Sequence, residues 1–244
     1  MPLSIVILAA GQGTRMRSQL PKVLHILGGV PLLEHVINTA QSMGDCSIHV
    51  VYGHGGEAVR ETLAHCKVNW IEQAEQLGTG HAVAQALPDI PDEDLVMVLY
   101  GDVPLIRAET LTHLKQAAGQ DHLALLTALL EQPGGYGRIL RNEQGQVTEI
   151  IEEKDASAQQ RLINEINTGF MAMPANRLKQ WVDRLDNNNA NGEYYLTDVI
   201  ACAVKDGMEI HTIEAGSEEE IYGINDRIQL ADQERRYQLR QAQR

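Results

Sequence analysis

The stretch that decides the fold of this chain is Leu8-Ala9-Ala10-Gly11-Gln12-Gly13-Thr14-Arg15-Met16, followed closely by Leu20-Pro21-Lys22. It comes directly after Leu3–Leu8, a short apolar run rich in β-branched residues that predicts a buried strand. Its two glycines allow the backbone to turn sharply and to approach a ligand closely. Backbone N–H groups in such a loop bind anions, and Arg15 and Lys22 add two positive charges. We therefore expect a strand followed by a phosphate-binding loop.

Acidic residues are missing from the start of the chain. The protein has 33 acidic residues against 20 lysines and arginines, a formal net charge of −13, and yet its first acidic residue is Glu34. A segment free of carboxylates does not repel phosphate groups, so this distribution is typical of a triphosphate pocket. The acidic balance also argues against nucleic acid as a partner, because no basic patch is available for a phosphate backbone.

Two better-known glycine loops do not fit this stretch. A P-loop needs Gly-Lys-Ser/Thr after four intervening residues, and no such run follows Gly11. A Rossmann dinucleotide fingerprint needs a third glycine where Met16 stands and an acidic residue that closes the second strand. Glu34 lies at about the right distance, but the pattern around it is helical. Both loop types are therefore excluded.

The composition is that of a globular protein with one large domain, or with one domain and a small appendage. Of its 244 residues 43% are hydrophobic and 4% are aromatic, so we expect an ample and mainly aliphatic core. No stretch approaches the roughly 20 apolar residues of a membrane span, and the N-terminus lacks a signal-peptide pattern. Cys46, Cys66 and Cys202 are odd in number and far apart, which favours free thiols in a reducing cytoplasm.

Apolar runs alternate with amphipathic stretches through the first half of the chain. This rhythm predicts an α/β fold, a Rossmann-like open and mostly parallel sheet with helices on both faces. The predicted strands are Leu3–Leu8, Ser47–Tyr52, Val68–Ile71, Leu95–Leu99 and Leu123–Leu129, and the predicted helices are Pro31–Gln41, Glu57–Ala64, Gly80–Ala86 and Glu109–Ala118.

The pattern changes after residue 129. Tyr136–Arg141 and Gln146–Glu152, joined by a polar turn, predict a hairpin, and Asn164–Met173 predicts a further strand. We therefore expect a β-rich insertion around residues 136–173. From Asn225 to the end the sequence predicts one terminal helix.

Asp102 lies at the end of the uninterrupted apolar strand Leu95–Leu99, within Tyr100-Gly101-Asp102-Val103-Pro104. Ligands of open parallel sheets bind beyond the carboxyl ends of the strands, where a carboxylate can hold a divalent cation against phosphates. A turn-forming aspartate before a proline is the structural alternative. The preceding glycine–arginine loop, which supplies a bound phosphate, favours the metal ligand.

A second loop joins the third strand to a helix and reads Gln73-Ala74-Glu75-Gln76-Leu77-Gly78-Thr79-Gly80-His81-Ala82. Thr79 is expected to cap this helix, and the glycines keep the approach open. Gln73 can both donate and accept in the plane of a base, as the edge of a uracil requires. Taken alone, the segment is equally typical of a capped helix start.

Three later segments carry polar residues that suit sugar hydroxyls and an amide. They are Gly134–Arg138, Glu152–Lys154 and Glu165–Gly169. Solvated edge strands are the structural alternative. Asn225, just before the last helix, is on its own typical of an N-cap. The nine histidines show no spaced ligand set, and no Ser-His-Asp or Cys-His arrangement is present.

Together these segments resemble the sugar-1-phosphate nucleotidyltransferases, whose signature Leu-x-x-Gly-x-Gly-Thr-x-Met with Pro-Lys is matched from Leu8 to Lys22. Within that superfamily the bacterial N-acetylglucosamine-1-phosphate uridyltransferases are the closer match. The segments that carry this closer resemblance, in the same order and spacing, are Gln73–Ala82, Tyr100–Pro104, Tyr136–Ile139, Glu165–Gly169 and Asn191–Asp198.

The resemblance implies a role for each matching residue. Catalytic roles fall to Arg15 and Lys22, on the phosphates, and Mg²⁺ ligation falls to Asp102 and Asn225. The remaining positions are implied to bind substrate: Leu8, Ala10, Gly11, Gly13 and Tyr100 around the nucleotide, Gln73, Gly78 and Thr79 at the uracil, and Gly137, Glu152, Asn167, Tyr195 and Thr197 at the amino sugar.

The implied reaction transfers UMP from UTP to N-acetylglucosamine-1-phosphate, giving UDP-N-acetylglucosamine, a precursor of peptidoglycan and lipopolysaccharide, and pyrophosphate. It needs Mg²⁺ and no protein nucleophile, because the sugar phosphate is already anionic and attacks the α-phosphorus in line. The implied partners are therefore these two substrates, in the cytoplasm, with neither nucleic acid nor membrane involved.

The resemblance also implies a division of the chain into a nucleotidyltransferase domain, 1–225, and a linker helix, 226–244. The family's usual second domain, a β-helix of hexapeptide repeats that transfers acetyl groups, has no counterpart in these residues. We expect no acetyltransferase activity from them. That domain builds the family's trimer, so a homo-oligomer stays possible here without being required.

Two alternatives stay open from the sequence. One is a related transferase that uses another sugar or another nucleoside triphosphate. The other is a sugar-nucleotide-binding module without catalysis, but such a protein is expected to lose Arg15, Lys22 or Asp102, and all three are present.

Overall fold

A mostly parallel sheet forms the centre of the molecule. The computed structural model describes residues 1–53 and 56–242. The strands of this part of the chain are β1 Leu3–Ala9, β2 Ile26–Leu27, β3 Val30–Pro31, β4 Ser47–Gly53, β5 Asn69–Gln73, β6 Leu95–Tyr100, β7 His122–Leu129, β8 Arg138–Arg141, β9 Val147–Ile151, β10 Glu165–Pro174 and β11 Glu209–Glu214. Its helices are α1 Leu32–Gln41, α2 Glu57–Thr62, α3 Thr79–Ala86, α4 Ala108–Ala117, α5 Ala175–Val182, α6 Val199–Lys205 and α7 Arg227–Ala242.

The strand order of the main sheet is β11-β7-β10-β6-β1-β4-β5. β1 pairs in parallel with β4 and β6, β4 with β5, and β7 with β11. β10 alone runs antiparallel to its neighbours β6 and β7 in this order. The expected α/β fold with a mostly parallel sheet is therefore confirmed.

Alternating residues of β1 show why helices cover both faces. Ile5 and Ile7 belong to a core cluster with Val36 of α1 and Leu111 of α4. Val6 lies between them in sequence and faces the other cluster, with residues of α3, α5 and α6. Because successive side chains of a strand point to opposite faces, a continuous apolar strand needs a helical layer on each side.

The β-rich insertion is narrower than residues 136–173. β8 and β9 form the expected hairpin, which joins the sheet through the pairing of Arg138 with Ile166. β10, in contrast, is a strand of the main sheet itself. Nine of its ten residues are buried, because the run Phe170–Met173 is apolar on both faces and finds helices above and below only in the main sheet.

Three elements of the second half were not expected from the sequence, namely α5, α6 and β11. They have 8, 7 and 6 residues, too few for a clear helical or alternating period. The terminal helix is confirmed as α7, and residues 243–244 of the expected helix lie outside the described residues. In the described part of the chain no helix is long and apolar enough to cross a membrane.

The terminal helix is attached to the first loops of the domain. Tyr237 and Leu230 pack against a small core of Leu27, Leu32, Leu105 and Ile224. The Gly28 N–H donates to Glu234 Oε2 at 2.7 Å. These contacts bring the start of α7, and with it Asn225, to the loop that follows β1.

Candidate functional site

A cavity of about 450 Å³ lies at the carboxyl ends of β1, β5 and β6. Its position is the one expected for the ligand of an open parallel sheet. The predicted residues that line it are Leu8, Ala10, Gly11, Lys22, Gln73, Gly78, Thr79, Tyr100 and Asp102. A neighbouring cavity of about 590 Å³ shares residues 9–12 and Gln76 with it.

The glycine loop wraps around the Lys22 segment. Gly13 has φ +59°, and a Cβ on it would lie 2.6 Å from the Cβ of Lys22, so only glycine lets the two segments pack. Gly13 itself does not line the cavity. Arg15 follows in a short 3₁₀ turn, Thr14–Met16, and is exposed. It makes no hydrogen bond or ion pair within the described residues, so its guanidinium is available to an anion.

Lys22, Asp102 and Asn225 form the phosphate-side cluster. Lys22 Nζ donates to Asp102 Oδ2 at 2.5 Å and to Asn225 Oδ1 at 3.1 Å. The Ile224 N–H also donates to the Asp102 carbonyl at 2.9 Å, which ties the chain before α7 to the loop after β6. Three residues from distant parts of the sequence thus meet at one point.

Asn225 is not the N-cap of the last helix. Asp226 caps it, because its Oδ1 accepts from the N–H groups of Ile228 and Gln229 at 2.9 and 2.8 Å. The Asn225 side chain is therefore left to face Lys22 and Asp102.

The two oxygens of this cluster suit a hard divalent cation. Mg²⁺ is usually bound by one or two protein oxygens together with substrate phosphates, and Asp102 and Asn225 supply such a pair. Both oxygens lie within hydrogen-bond distance of one point, which the Lys22 ammonium takes. The residues present therefore fit a metal ion, provided that Lys22 moves aside when the ion binds.

The loop before α3 is fixed from two sides. The buried Gln73 amide donates to the Gly78 carbonyl at 3.1 Å and contacts His81 Nδ1 at 3.0 Å. Thr79 is not the helix cap that its position predicts, because the cap is Gly78 and no side chain bonds there. The Thr79 hydroxyl instead accepts from the Leu196 N–H at 3.0 Å. Leu196 is 117 residues away in the sequence, so local sequence patterns could not predict this hydrogen bond.

Gln76 is a residue of the site that the sequence did not single out. Its Nε2 donates to the Ala10 carbonyl at 2.8 Å, and its Oε1 accepts from Gln12 at 2.6 Å. It therefore fixes the glycine loop against the loop before α3. Its only signal in the sequence is its place within Gln73–Ala82.

Gly137, Glu152, Asn167 and Thr197 form a second group, the sugar-side cluster. The Thr197 hydroxyl donates to Glu152 Oε1 at 3.0 Å, and the Asn167 N–H donates to the Gly137 carbonyl at 2.9 Å. Burial raises the pKa of Glu152, against the Thr197 hydrogen bond, which lowers it. A Cβ on Gly137 would lie 3.5 Å from both Glu152 oxygens, so the missing side chain leaves room beside the carboxylate.

Three tyrosines lie near the two clusters. Tyr100 lines the cavity, and its ring occupies the space that a side chain on Gly169, next to the sugar-side cluster, would need. Tyr195 is buried, and burial raises the pKa of its hydroxyl to about 12. Tyr194 joins the loops, since its N–H donates to the Leu77 carbonyl and its carbonyl accepts from Gly80, both at 2.8 Å.

Residues 5–165, more than half of the chain, match the family of MobA-like NTP transferase domains. The chain belongs to this family. Membership places the protein among the nucleotidyltransferases, a class for which a divalent metal ion is expected, in agreement with the oxygen ligands of the phosphate-side cluster.

The chain is similar over its whole length to several curated proteins. Two proteins named Bifunctional protein GlmU, from Stutzerimonas stutzeri (strain A1501) and Pseudomonas putida (strain GB-1), are each 59% identical to it, and one from Marinobacter nauticus is 54% identical. The alignments cover 100% of this chain and 54%, 53% and 54% of those proteins. The chain thus spans about half the length of the curated relatives it matches.

Solved structures show the same fold. A nucleotidyl transferase from Methanothermobacter thermautotroptrophicus aligns with a TM-score of 0.70 at 20% identity, over 98% of this chain and 99% of that one. A UDP-glucose pyrophosphorylase complexed with UDP-glucose aligns with a TM-score of 0.77 at 14% identity, over 98% and 100%. At these identities the likeness concerns the fold, and it supports the Rossmann-like α/β architecture.

Proposed function

We propose that this chain transfers the uridylyl group of UTP to N-acetylglucosamine-1-phosphate, which yields UDP-N-acetylglucosamine and pyrophosphate. The observation that carries the proposal is the meeting of a phosphate-side cluster and a sugar-side cluster at one edge of the sheet, with Tyr100 between them. The named relatives and the order of the matching sequence segments support the choice of reaction. The structural neighbour that holds UDP-glucose supports a sugar nucleotide as the product.

The uracil and ribose are assigned to the cavity at the ends of β1 and β5. The Gln73 amide nitrogen is held by Gly78 and His81, which leaves its amide oxygen to accept from the N3–H of uracil. Gly78 brings backbone polar groups to the same edge. Leu8 and Ala10 line the cavity on the other side of the base.

The amino sugar is assigned to the sugar-side cluster. Asn167 Oδ1 accepts from the Gly169 N–H at 3.0 Å, so the side-chain NH₂ is left to donate to the carbonyl of the N-acetyl group. The Glu152 oxygen that does not bond Thr197 is left to accept from a sugar hydroxyl. Glucose-1-phosphate has no acetamido group, so this pairing predicts a preference for the N-acetylated sugar.

We assign the metal ion as Mg²⁺, held by Asp102 and Asn225 together with phosphate oxygens of the substrate. When bound, such an ion neutralises phosphate charge and makes the α-phosphorus easier to attack. Mg²⁺ fits better than a softer metal because both protein ligands are oxygens.

The residues of the chain then act by position and charge. The backbone N–H of Gly11, which lines the cavity, binds a phosphate oxygen, and Arg15 and Lys22 place two cations on the phosphates. The sugar phosphate attacks in line, the bond to the β-phosphate breaks, and pyrophosphate leaves with the electron pair. No proton has to be removed from the attacking oxygen, so the proposed reaction needs no general base, and none of the described residues that line the cavity is a histidine.

Three free cysteines, Cys46, Cys66 and Cys202, support a reducing compartment, and we place the reaction in the cytoplasm. The division into a domain of residues 1–225 and a linker helix of residues 226–244, and any homo-oligomer, belong to the same proposal.

Product analysis tests the reaction. The chain is incubated with Mg²⁺, N-acetylglucosamine-1-phosphate and either UTP, CTP or GTP, and the nucleotide sugars are separated by anion exchange and identified by mass. We expect UDP-N-acetylglucosamine with UTP and little product with CTP or GTP. Equal rates with all three triphosphates would contradict the assigned uracil site. No product with any of them would contradict the proposed reaction and favour a sugar-nucleotide-binding module without catalysis.

A further inference from the structure

His122, Glu209 and His211 form a compact group of metal-ligating side chains, which we call the edge cluster. Glu209 Oε2 lies 3.5 Å from His122 Nδ1 and 3.6 Å from His211 Nε2. The two imidazole rings stack with centroids 4.3 Å apart and planes 19° apart. All three side chains are partly exposed, so a metal ion has access from solvent.

Strand pairing places these side chains on one face. His122 is the first residue of β7, and it pairs with Glu209, the first residue of β11. His211 follows Glu209 by two residues and therefore points to the same face. Ile210, between them, points the other way and packs against the core. The backbone of two hydrogen-bonded strands thus holds the cluster together.

The edge cluster is separate from the candidate active site. It lies at the amino ends of β7 and β11, whereas the cavity lies at the carboxyl ends of β1, β5 and β6. β7 runs parallel to β6, because each is antiparallel to β10 between them. The edge cluster and the candidate active site therefore lie at opposite ends of the strands.

Hydrogen bonding leaves both histidines ready to bind a metal. His211 Nδ1 donates to the carbonyl of Ala117, the last residue of α4, at 3.2 Å. This bond fixes the tautomer in which Nε2 carries a free lone pair facing Glu209, an arrangement common for histidines that bind metals. His122 Nδ1 is buried and has no hydrogen-bond partner among the described residues. A metal ion would satisfy it.

The spacing fits a tetrahedral ion. Ligands bound to zinc at about 2.1 Å with a tetrahedral angle lie about 3.4 Å from each other. The two distances from Glu209 Oε2 are 3.5 and 3.6 Å, and all three ligand atoms lie within 4.8 Å of one another. In the metal-bound state the two rings rotate about their side-chain bonds out of the stacked arrangement, so that both nitrogens point at the ion and one position stays open for water.

We propose that the edge cluster is a second metal site, which takes a zinc-like divalent ion through two imidazole nitrogens and one carboxylate oxygen. Imidazole ligands favour zinc and its neighbours in the periodic table over Mg²⁺, so the two metal sites of this protein differ in the ion they take. Bound there, the ion connects β11 to β7 and to the end of α4. Its effect is to stabilise the edge of the sheet.

Sequence patterns did not predict this site, because His122 is far from Glu209 and His211 in the chain. Metal-site patterns in sequences rest on short spacings within one segment, and here only the pairing of β7 with β11 brings the ligands together.

Zinc titration tests the proposal. The whole chain is titrated with ZnCl₂ in excess Mg²⁺, which occupies oxygen-ligand sites, and binding is followed by calorimetry together with the thermal midpoint of unfolding. We expect one zinc ion per chain and a midpoint that rises with zinc. Glu209→Gln and His211→Ala are each expected to weaken binding at least about tenfold and to remove the rise in midpoint.

His113→Ala is the matched control, because this histidine is exposed on α4 and lies outside the cluster. It is expected to bind zinc as the wild type does. Absence of zinc binding in the wild type would overturn the proposal. Equal affinity in the wild type and in both cluster variants would also overturn it, since zinc would then be bound elsewhere.

Discussion

At the scale of single residues, Lys22 is the side chain on which the candidate site depends most. Its ammonium lies 2.5 Å from Asp102, and the two side chains are only 10% and 17% exposed. In the proposed reaction a divalent ion on Asp102 would displace Lys22, because two cations repel each other strongly at such a distance. The freed ammonium would then be available to a phosphate oxygen, so this one residue would neutralise the carboxylate first and the substrate afterwards.

Replacing Lys22 with alanine separates these two roles. We expect Lys22→Ala to lower kcat by ~10²-fold, because a cation that stabilises the transferring phosphate is lost. The Mg²⁺ concentration for half-maximal rate should stay the same or fall, since the competing ammonium is gone. Pyrophosphate release over a Mg²⁺ series measures both, with the exposed Lys67→Ala as control. An effect confined to the KM of the sugar phosphate would contradict the assigned role.

Asp102 is the second decisive residue. We expect Asp102→Ala to lower turnover by at least about 10²-fold, because a metal ligand is removed. The fold should persist, since the side chain lies in a loop after β6 and its backbone bond to Ile224 remains. The rate at saturating Mg²⁺ and the circular dichroism spectrum measure the two effects. The exposed Asp121→Ala is the control, and a near-normal rate for Asp102→Ala would disprove metal ligation.

At the scale of elements, the loop before α3 depends on a close backbone contact. Gly78 has φ +113°, and a Cβ there would lie 2.6 Å from the Tyr194 carbonyl oxygen and 2.8 Å from its nitrogen. This contact holds the loop before α3 and the segment before Thr197 together as one unit.

We expect Gly78→Ala to lower the free energy of unfolding by about 3 kcal/mol or more, from backbone strain and the clash together. The matched control is Gly207→Ala, which also has positive φ, +77°, but meets nothing within 4 Å. It should cost only about 1–2 kcal/mol. Urea unfolding of both variants measures the difference, and equal losses would show that the close contact is unimportant.

The 3₁₀ turn Leu196–Asp198 makes stability depend on pH. Burial raises the pKa of Asp198 from 3.8 to about 6, and nearby carboxylates, led by Asp186, add to the effect. The folded state therefore binds this proton more tightly than the unfolded state does. The protonated Asp198 carboxyl therefore contributes stability to the folded state. This contribution is fully present below pH 3.8 and is lost as the pH rises through about 6.

Asp198→Asn should remove this loss. We expect the variant to be more stable than the wild type at neutral pH by on the order of 2 kcal/mol, and nearly equal to it at the acidic end. The measurement is the free energy of unfolding across the acidic range, with the exposed Asp183→Asn as control. The raised pKa would be contradicted if the free energy of unfolding of the wild type, relative to that of Asp198→Asn, increased from pH 3.8 to about 6.

The elements also show how far the sequence could predict the structure. The strands β1, β4 and β6 and the loops after β1, β5 and β6 follow from uninterrupted apolar runs and from glycines, which are local signals. The place of β10 does not, because an apolar run shows that a strand is buried without showing which strands are its neighbours. The hydrogen-bond partners of Thr79 and of Lys22 could not be predicted for the same reason, since each lies 80 or more residues away in the sequence.

At the scale of the whole molecule, the fold gathers positively charged residues at one site of a protein whose net charge is negative. The chain has a net charge of −13, and yet its first acidic residue is Glu34, so the loop after β1, proposed to bind the polyphosphate, has no carboxylates of its own. The sheet then places this loop beside the ends of β5 and β6, and α7 brings Asn225 to the same edge. Separate stretches of sequence thereby become one site.

The sugar-side cluster completes the account, because in the proposed function it decides which sugar phosphate is used. The most direct test measures pyrophosphate release by this chain with Mg²⁺ and UTP, with N-acetylglucosamine-1-phosphate compared against glucose-1-phosphate under the same conditions. The account predicts a strong preference in kcat/KM for the N-acetylated sugar. Equal use of both sugars would contradict the role given to Asn167 and Glu152, and no release with either would contradict the proposed transferase activity itself.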